Sequence, residues 1–216
     1  MSEIEKKIAA FVAGDGCITK TGWFTMHHSS KQKDYVLYKI ALLEKLGIKM
    51  KTRWNHHISG FSNQPSFVAW SSTSAMMKRL RDKFYPEGKK NIPGEVLENF
   101  DWDDWSILYQ DNGRVNKLSH FNVWKDNKKV RIETPCFVNR YEICMGHSSD
   151  ATLQGLQKSL QSLGVESKVL VRKDGQRNIS INRKDSKIKF FRQIKHRVCS
   201  SMSYKIDVIP SLSLLE

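Results

Sequence analysis

Two nine-residue segments of this chain resemble one another, and this repeat constrains the fold more than any other feature. The first is Ile8-Ala-Ala-Phe-Val-Ala-Gly-Asp-Gly16, and the second is Trp105-Ser-Ile-Leu-Tyr-Gln-Asp-Asn-Gly113. Each is nearly apolar and ends in an acidic or amide residue followed by glycine, which predicts a buried helix that stops near the glycine. The pair indicates a pseudo-twofold molecule, whereas either segment alone is typical of an ordinary buried helix.

Asp15 lies where the first helix is expected to end, and a carboxylate is unfavourable at that position. The carbonyl end of a helix carries partial negative charge, so Asp15 requires a nearby cation. Gly16 and Gly113 suit the left-handed conformation that closes many helices. The alternative interpretation is that both helices simply stop at Asp-Gly and Asn-Gly turns.

Hydrophobic periodicity predicts the same order of elements in both halves of the chain. The first half has helices over 3–14, 34–46 and 74–84, a hairpin over 17–29 and strands over 49–59 and 66–72, with a short helix from Pro93. The second half has helices over 103–112, 149–163 and 184–198 and strands over 114–124, 137–145, 166–172 and 178–182. Each half is αββαββα, which predicts an α+β fold with repeats 1–100 and 101–216. The added length around 124–131 predicts an elongated basic loop or hairpin.

These motifs resemble the LAGLIDADG homing endonucleases of the single-chain, two-repeat type. The resemblance implies a central pair of motif helices with saddle-shaped antiparallel sheets. Ala9 and Ser106 are small enough for close helix packing, whereas Gln110 departs from the small-residue pattern. Further landmarks repeat in the same order, namely Leu46-Gly47 and Lys90 in the first half, and Leu163-Gly164 and Lys205 in the second.

The resemblance also implies a metal site. The residue before the final glycine of each motif binds divalent metal in this family, which places Asp15 and Asn112 at the metal positions. Gly14 and Asp111 are additional ligands through their backbone oxygens. Oxygen ligands suit Mg²⁺, with Mn²⁺ as an alternative and Ca²⁺ as a non-catalytic substitute.

Lys90 and Lys205 correspond to lysines that lie close to the scissile phosphates in the family. There they would polarise solvent or stabilise charge, and with Asp15 and Asn112 they form the predicted catalytic group. The alternative for either lysine is a solvated surface position.

Asn112 departs from the acidic residue of the family motif. An amide can coordinate metal through oxygen but brings no negative charge, so metal binding and the cleavage of one strand should be weaker. Three explanations stay open: Asp111 substitutes as the ligand, the protein is a nickase or a cleavage-dead binder, or Asn112 is a deliberate Asp→Asn change that traps an uncleaved complex.

The net charge of +14 indicates a polyanionic partner. It arises from 36 Lys and Arg against 22 Asp and Glu, and each half of the chain carries half of it. An even distribution suits a monomer that holds a long duplex with both repeats. Charge alone does not separate DNA from RNA. The resemblance implies that the partner is double-stranded DNA with a long specific site, and intron RNA is the alternative.

The strands are expected to recognise bases, because a twisted β-surface can present alternate residues in the major groove. Alternation predicts that about half of the polar candidates point elsewhere. His27-His28 and His56-His57 are interpreted as groove or surface residues, not as a metal site. The candidates are Lys20, His27, Lys51, Arg53, Asn55, His57, Trp70, Lys117, Lys125, Arg131, Arg140, Lys168, Arg172, Arg177 and Arg183.

The resemblance therefore predicts a site-specific DNA endonuclease that cuts across the minor groove, leaves 3′ overhangs and serves intron homing. The alternatives are a cleavage-impaired DNA binder or nickase, an RNA maturase that assists splicing, and a family-derived transcription regulator, which is disfavoured because no helix-turn-helix segment is found.

The chain lacks an 18-residue apolar run and a secretory signal, so membrane insertion is not expected. Its four cysteines include no CxxC pair and are expected to be free thiols. The expected location is intracellular, in a bacterium, a phage-infected cell or an organelle.

Overall fold

The computed structural model describes residues 2–56, 65–125 and 128–206, and the elements follow the predicted order. The first repeat contains α1 (Glu3–Ala13), β1 (Gly16–Ile18), β2 (Phe24–Ser29), α2 (Lys33–Lys45), β3 (Met50–Asn55), β4 (Ser66–Ser71), α3 (Ala75–Phe84) and the short α4 (Gly94–Leu97). The second contains α5 (Trp102–Asn112), β5 (Gly113–Lys125), β6 (Lys128–Gly146), α6 (Asp150–Ser162), β7 (Lys168–Val171), β8 (Arg177–Ile181) and α7 (Lys184–Ile194). The predicted boundary between residues 100 and 101 lies between α4 and α5.

Each repeat contains a four-stranded antiparallel sheet. The strand orders are β1-β2-β4-β3 and β5-β6-β8-β7, which correspond one to one. The predicted α+β class with two αββαββα repeats is therefore confirmed. The added length of the second repeat is a hairpin, in which β5 pairs with β6 from Gly113–Ile143 out to Lys125–Lys128.

Helices α1 and α5 pack against each other and are buried on all sides. Every residue from 8 to 13 and from 104 to 110 is buried, as expected for helix segments whose residues are mostly apolar on all sides. Gln110 can be buried between the helices because both the nitrogen and the oxygen of its carboxamide are hydrogen-bonded. Its Nε2 donates to the backbone oxygen of Ser106 at 3.1 Å, and its Oε1 accepts from the N–H of Cys199 at 2.7 Å.

The amino ends of these two helices are stabilised by the same type of cap. Ser2 caps α1 and Asp101 caps α5, each in a reciprocal capping box. The ammonium of Lys6 lies 2.5 Å from Asp101, and that of Lys7 lies 2.7 Å from the fully buried Asp104. Lysines of the first repeat thus neutralise acids of the second.

Gly16 and Gly113 do not adopt the predicted left-handed conformation. Gly113 has φ −78° and ψ 150°, and Gly16 is already part of β1. Close packing explains both glycines instead. A Cβ atom would lie 2.2 Å from the ring of Tyr109 at Gly113, and 2.7 Å from the ring of Phe24 at Gly16. The central helices therefore lead into the sheets without a left-handed residue.

No helix in the described ranges is long and apolar enough to cross a membrane. Cys17, Cys144 and Cys199 are free thiols, as the sequence predicts.

The contact between α4 and α6 gives a stability test. A Cβ atom at Gly155 would lie 2.4 Å from the carbonyl oxygen of Gly94. We expect Gly155→Ala to lower the free energy of unfolding by about 2 kcal/mol, although Ala is the better helix former, because the backbones must separate. Urea unfolding followed by circular dichroism measures this change. Gln154→Ala, on the exposed side of α6, is the control; a Gly155→Ala variant as stable as its parent would contradict the tight contact.

Candidate functional site

The carboxyl ends of α1 and α5 meet at Gly14 and Asp111. Oδ2 of Asp111 accepts a hydrogen bond from the backbone N–H of Asp15 at 3.0 Å. A Cβ atom at Gly14 would lie 2.1 Å from this oxygen, so only glycine leaves room for the carboxylate. Asn112 instead donates from Nδ2 to the carbonyl of Ala13 at 3.2 Å. The carboxylate that the second repeat brings to Asp15 is that of Asp111.

A histidine joins the two carboxylates. His28 on β2 is 5% exposed, and ligand atoms of Asp15, His28 and Asp111 all lie within 4.8 Å of one another. Alternation along β2 turns His27 outward and His28 inward. The interpretation of both as groove or surface residues is therefore wrong for His28.

Two residues of α2 bind the carboxylate of Asp111. Lys39 is 0% exposed; its ammonium forms an ion pair with Oδ1 of Asp111 and lies 3.0 Å from Nε2 of His28. The hydroxyl of Tyr35 donates to the same Oδ1 at 2.8 Å. Neither residue is among those predicted from the sequence. The available signal was the spacing of Tyr35, Lys39 and Leu43, which places a lysine on the buried stripe of α2.

Lys90 and Lys205 lie at matching positions on the two helix ends. The ammonium of Lys90 donates to carbonyls at the end of α1, including that of Gly14 at 3.0 Å. The ammonium of Lys205 donates to carbonyls at the end of α5, including that of Asp111 at 2.8 Å. Positive charge therefore lies on the negative end of each helix. Both lysines therefore contact the backbone oxygens predicted to be metal ligands.

Burial and, after it, the neighbouring charges shift the pKa values of the groups in the site. Burial, followed by the carboxylate of Asp111, raises the pKa of Asp15, and three nearby lysines oppose the rise. Burial and then the ammonium of Lys39 lower the pKa of His28 to about 4, so its ring is neutral at pH 7. Burial also lowers the pKa of the two lysines at the helix ends.

The outer face of the first sheet gathers predicted DNA-binding residues. Lys51 lies opposite Trp70, and both Arg53 and His27 lie opposite Val68 on neighbouring strands. Directly opposed residues share a face, and His27 alternates with buried residues of β2, so this face is turned away from the core. The guanidinium of Arg53 lies 5.4 Å from the ring centre of Trp70. The predicted residues on this face are His27, Lys51, Arg53, Asn55 and Trp70.

The outer face of the second sheet presents Arg140 and Lys168. Glu142 lies opposite Arg114 on one neighbouring strand and opposite Ser180 on the other. Its carboxylate accepts hydrogen bonds from Nε of Arg140 at 2.5 Å and from Nε of Arg114 at 2.7 Å. Burial raises the pKa of Glu142, but the hydrogen bonds from the two guanidinium groups outweigh it and lower the pKa below its ordinary value. Arg114 also belongs to this face, although it is not among the residues predicted from the sequence.

The other predicted DNA-binding residues are distributed over several elements. Alternation along β8 puts Arg177 on the face of the buried Ile179, where it pairs with Asp150. Arg183 binds Glu166 at 2.5 Å. Lys20 and Arg172 are exposed in hairpin turns, Lys117, Lys125 and Arg131 are exposed on the β5–β6 hairpin, and His57 lies outside the described residues.

Comparison with known proteins assigns the fold to a family. A sequence model of the LAGLIDADG DNA endonuclease family matches residues 11–191. The chain belongs to this family. An uncharacterized protein of Methanocaldococcus jannaschii is 27% identical over 135 residues, which covers 56% of this chain and 51% of that protein. The chain thus spans about half the length of this curated relative.

Solved structures share the LAGLIDADG fold. The homing endonuclease I-WcaI bound to its DNA recognition sequence matches with a TM-score of 0.70 at 15% identity, over 95% of this chain and 86% of that one. I-DmoI in complex with DNA and Ca matches with a TM-score of 0.51 at 13% identity, over 99% and 98%. Full-length DUF199/WhiA from Thermatoga maritima matches with a TM-score of 0.54 at 11% identity, over 99% and 61%. Identities this low establish the fold alone.

Asp15→Asn tests the electrostatics of the site. The pKa of Asp15 is higher in the folded protein than in the unfolded chain. At a pH above the folded-state pKa, the ionised carboxylate therefore lowers the stability of the folded state. At a pH below the unfolded-state pKa near 4, the carboxyl is protonated in both states and has no such effect. In metal-free buffer at pH 7 we expect the variant to melt about 2 °C higher, a small effect because solvent screens a half-exposed group. The gain should shrink as the pH falls towards about 4.

Calorimetry over this pH range measures the effect, with the exposed Asp34→Asn as control. A variant that melts below its parent at pH 7 would contradict the expectation.

Proposed function

We propose that the protein is a metal-dependent, site-specific endonuclease that hydrolyses phosphodiester bonds of double-stranded DNA. The observation that carries this proposal is the meeting of Asp15 and Asp111 where α1 and α5 lead into the sheets. Membership of the LAGLIDADG DNA endonuclease family supports it. Two proteins of the same fold are homing endonucleases whose structures contain DNA.

Asp15 suits a hard divalent cation. Its side chain is 46% exposed, and within the described residues no hydrogen bond reaches its carboxylate. The adjacent carbonyl of Gly14 already accepts a hydrogen bond from Lys90 at 3.0 Å, so the carboxylate of Asp15 is the open ligand, and carboxylate oxygens are preferred ligands of Mg²⁺. When bound, Mg²⁺ or Mn²⁺ supplies charge neutralisation at the phosphate and polarises water.

The protein groups around Asp15 position and neutralise charge. Lys90 and Lys205 fix the carbonyl ends of the helices and carry positive charge towards the scissile phosphates. The outer sheet faces bind the duplex through Lys51, Arg53 and their neighbours. By resemblance to the family, the target is long and asymmetric, a monomer cuts across the minor groove to leave 3′ overhangs, and the role is intron homing.

Strand-selective cleavage is the second candidate, because the two halves of the site are not equivalent. When the Leu-Gly landmarks of the repeats are aligned, Tyr35 and Lys39 correspond to Thr152 and Leu156. Among the described residues, the polar groups that bind the carboxylate of Asp111 come from the first repeat, namely Tyr35, Lys39 and the N–H of Asp15. We therefore propose that the strand beside Asp15 is cut first.

Supercoiled plasmid carrying the uninterrupted insertion site of the gene tests both proposals in Mg²⁺. Nicked circles should accumulate before linear DNA. Asp15→Asn should slow cleavage at least about 100-fold, because it removes the open carboxylate. Asn112→Asp should not accelerate the second cut, since a carboxylate there loses the hydrogen bond to Ala13 and faces its carbonyl.

Asp34→Asn is the matched control and should cut as the parent does. Undiminished cleavage by Asp15→Asn would contradict the site, and linear product without a nicked intermediate would contradict strand selectivity.

The sheet faces are tested by two lysines at corresponding outer positions, Lys51 opposite Trp70 and Lys168 opposite Ser180. Replacing either by Ala should weaken duplex binding and reduce the slope of log affinity against log salt by about 1. Fluorescence anisotropy with a labelled duplex at several salt concentrations measures this slope. Lys158→Ala removes the same charge from α6, where it faces Glu98, and should leave the slope unchanged. Equal effects of all three would show that net charge alone governs binding.

A further inference from the structure

We propose that Lys39 is a built-in counter-ion for Asp111, so that divalent metal binds through Asp15 and not through Asp111, with one ion in the centre. The inference rests on the proposed function for the nature of the ligand, a hard divalent cation. It assigns Lys39 as a positioning residue and removes Asp111 from the set of metal ligands.

Both carboxylate oxygens of Asp111 are occupied by protein donors. Oδ1 accepts from the ammonium of Lys39 and from the hydroxyl of Tyr35 at 2.8 Å, and Oδ2 accepts from the N–H of Asp15 at 3.0 Å. The side chain of Asp111 is 0% exposed. A metal ion at this carboxylate would have to displace a buried ammonium or lie beside it, and like charges at ion-pair distance repel strongly in a dry site.

Both ring nitrogens of His28 are hydrogen-bonded to protein side chains, one of them to Lys39. Its Nε2 lies 3.0 Å from the ammonium of Lys39, which can only donate, so Nε2 is assigned as the unprotonated nitrogen. Nδ1 then carries the proton, and Oε1 of Gln32 accepts it at 3.3 Å. Both ring nitrogens thus have protein partners. His28 holds Lys39 in place and offers no free ligand atom, although it lies within reach of Asp15.

The lysine is held on a third side by an aromatic ring. Its ammonium lies 4.4 Å from the ring centre of Tyr35, which favours a cation. Carboxylate, imidazole and aromatic ring therefore enclose one charge that is 0% exposed. Asp15 is the contrasting group, since its side chain is 46% exposed.

Mn²⁺ titration by isothermal calorimetry on the full chain tests the assignment without any nuclease assay. The parent should bind one Mn²⁺, and Asp15→Asn should weaken binding at least about tenfold. The double variant Lys39→Met with Asp111→Asn removes both charges of the pair and so avoids a lone buried charge. It should retain the stoichiometry and affinity of the parent.

Lys39→Met alone uncovers the carboxylate of Asp111. We expect this variant to bind a second Mn²⁺ and its melting temperature to rise with Mn²⁺ more than that of the parent, because the ion replaces the lost ammonium. If it folds only with metal, that dependence is itself the expected result. The double variant provides an independent reading that does not need the single variant to fold.

Two ions bound by the parent would overturn the inference, as would a double variant that binds Mn²⁺ as weakly as Asp15→Asn. Either result leaves the proposed metal-dependent nuclease intact, because Asp111 would then be a ligand. A parent that binds no Mn²⁺ would overturn this inference together with the metal dependence in the proposed function, and plasmid cleavage in EDTA would distinguish that case.

Discussion

The structure depends on the packing of the carboxyl end of α1 against that of α5. Gly14 leaves the space that the carboxylate of Asp111 fills, so two negative helix ends and two carboxylates lie in one small region. Such a concentration of negative charge is stable only with compensating cations. Lys39 supplies one at the carboxylate, and Lys90 and Lys205 supply two at the backbone carbonyls. A carboxylate at a helix end is therefore explained by the lysines that surround it.

The opposite ends of the same helices fix their relative position. Lys6 and Lys7 of the first repeat bind Asp101 and Asp104 of the second, and Asp104 is fully buried. Breaking a buried pair on one side leaves an uncompensated charge, so these contacts penalise sliding of one helix along the other. The position of the carboxylates at the far end is set by this register as well as by the glycine between them. Ion pairs between the repeats thus contribute to the geometry of the site from both ends.

The repeat of the motif was enough to predict both central helices, because helices that are apolar on all sides must be buried. It did not reveal which carboxylate would meet Asp15. Alignment pairs Asp15 with Asn112, but α5 remains helical through Asn112 whereas α1 ends at Ala13. Asp111 therefore projects from a helical turn that has no equivalent in the first repeat. The ion pair between Lys39 and Asp111 could not be predicted either, since a local sequence pattern does not indicate a contact with a residue so distant in the chain.

The sheets show how far alternation carries a prediction. In the first sheet, once one core residue of β2 is known, the register assigns His27, Arg53 and Trp70 to one outer face. In the second sheet the register shifts between Asn116 and Lys117, so alternation counted from sequence fails beyond that point. The two outer faces consequently differ in composition and length. The two halves of the site also differ, in the residues that each repeat contributes. In the proposed function, a duplex held by two unequal faces has one preferred orientation, and that orientation determines which strand lies beside the open carboxylate.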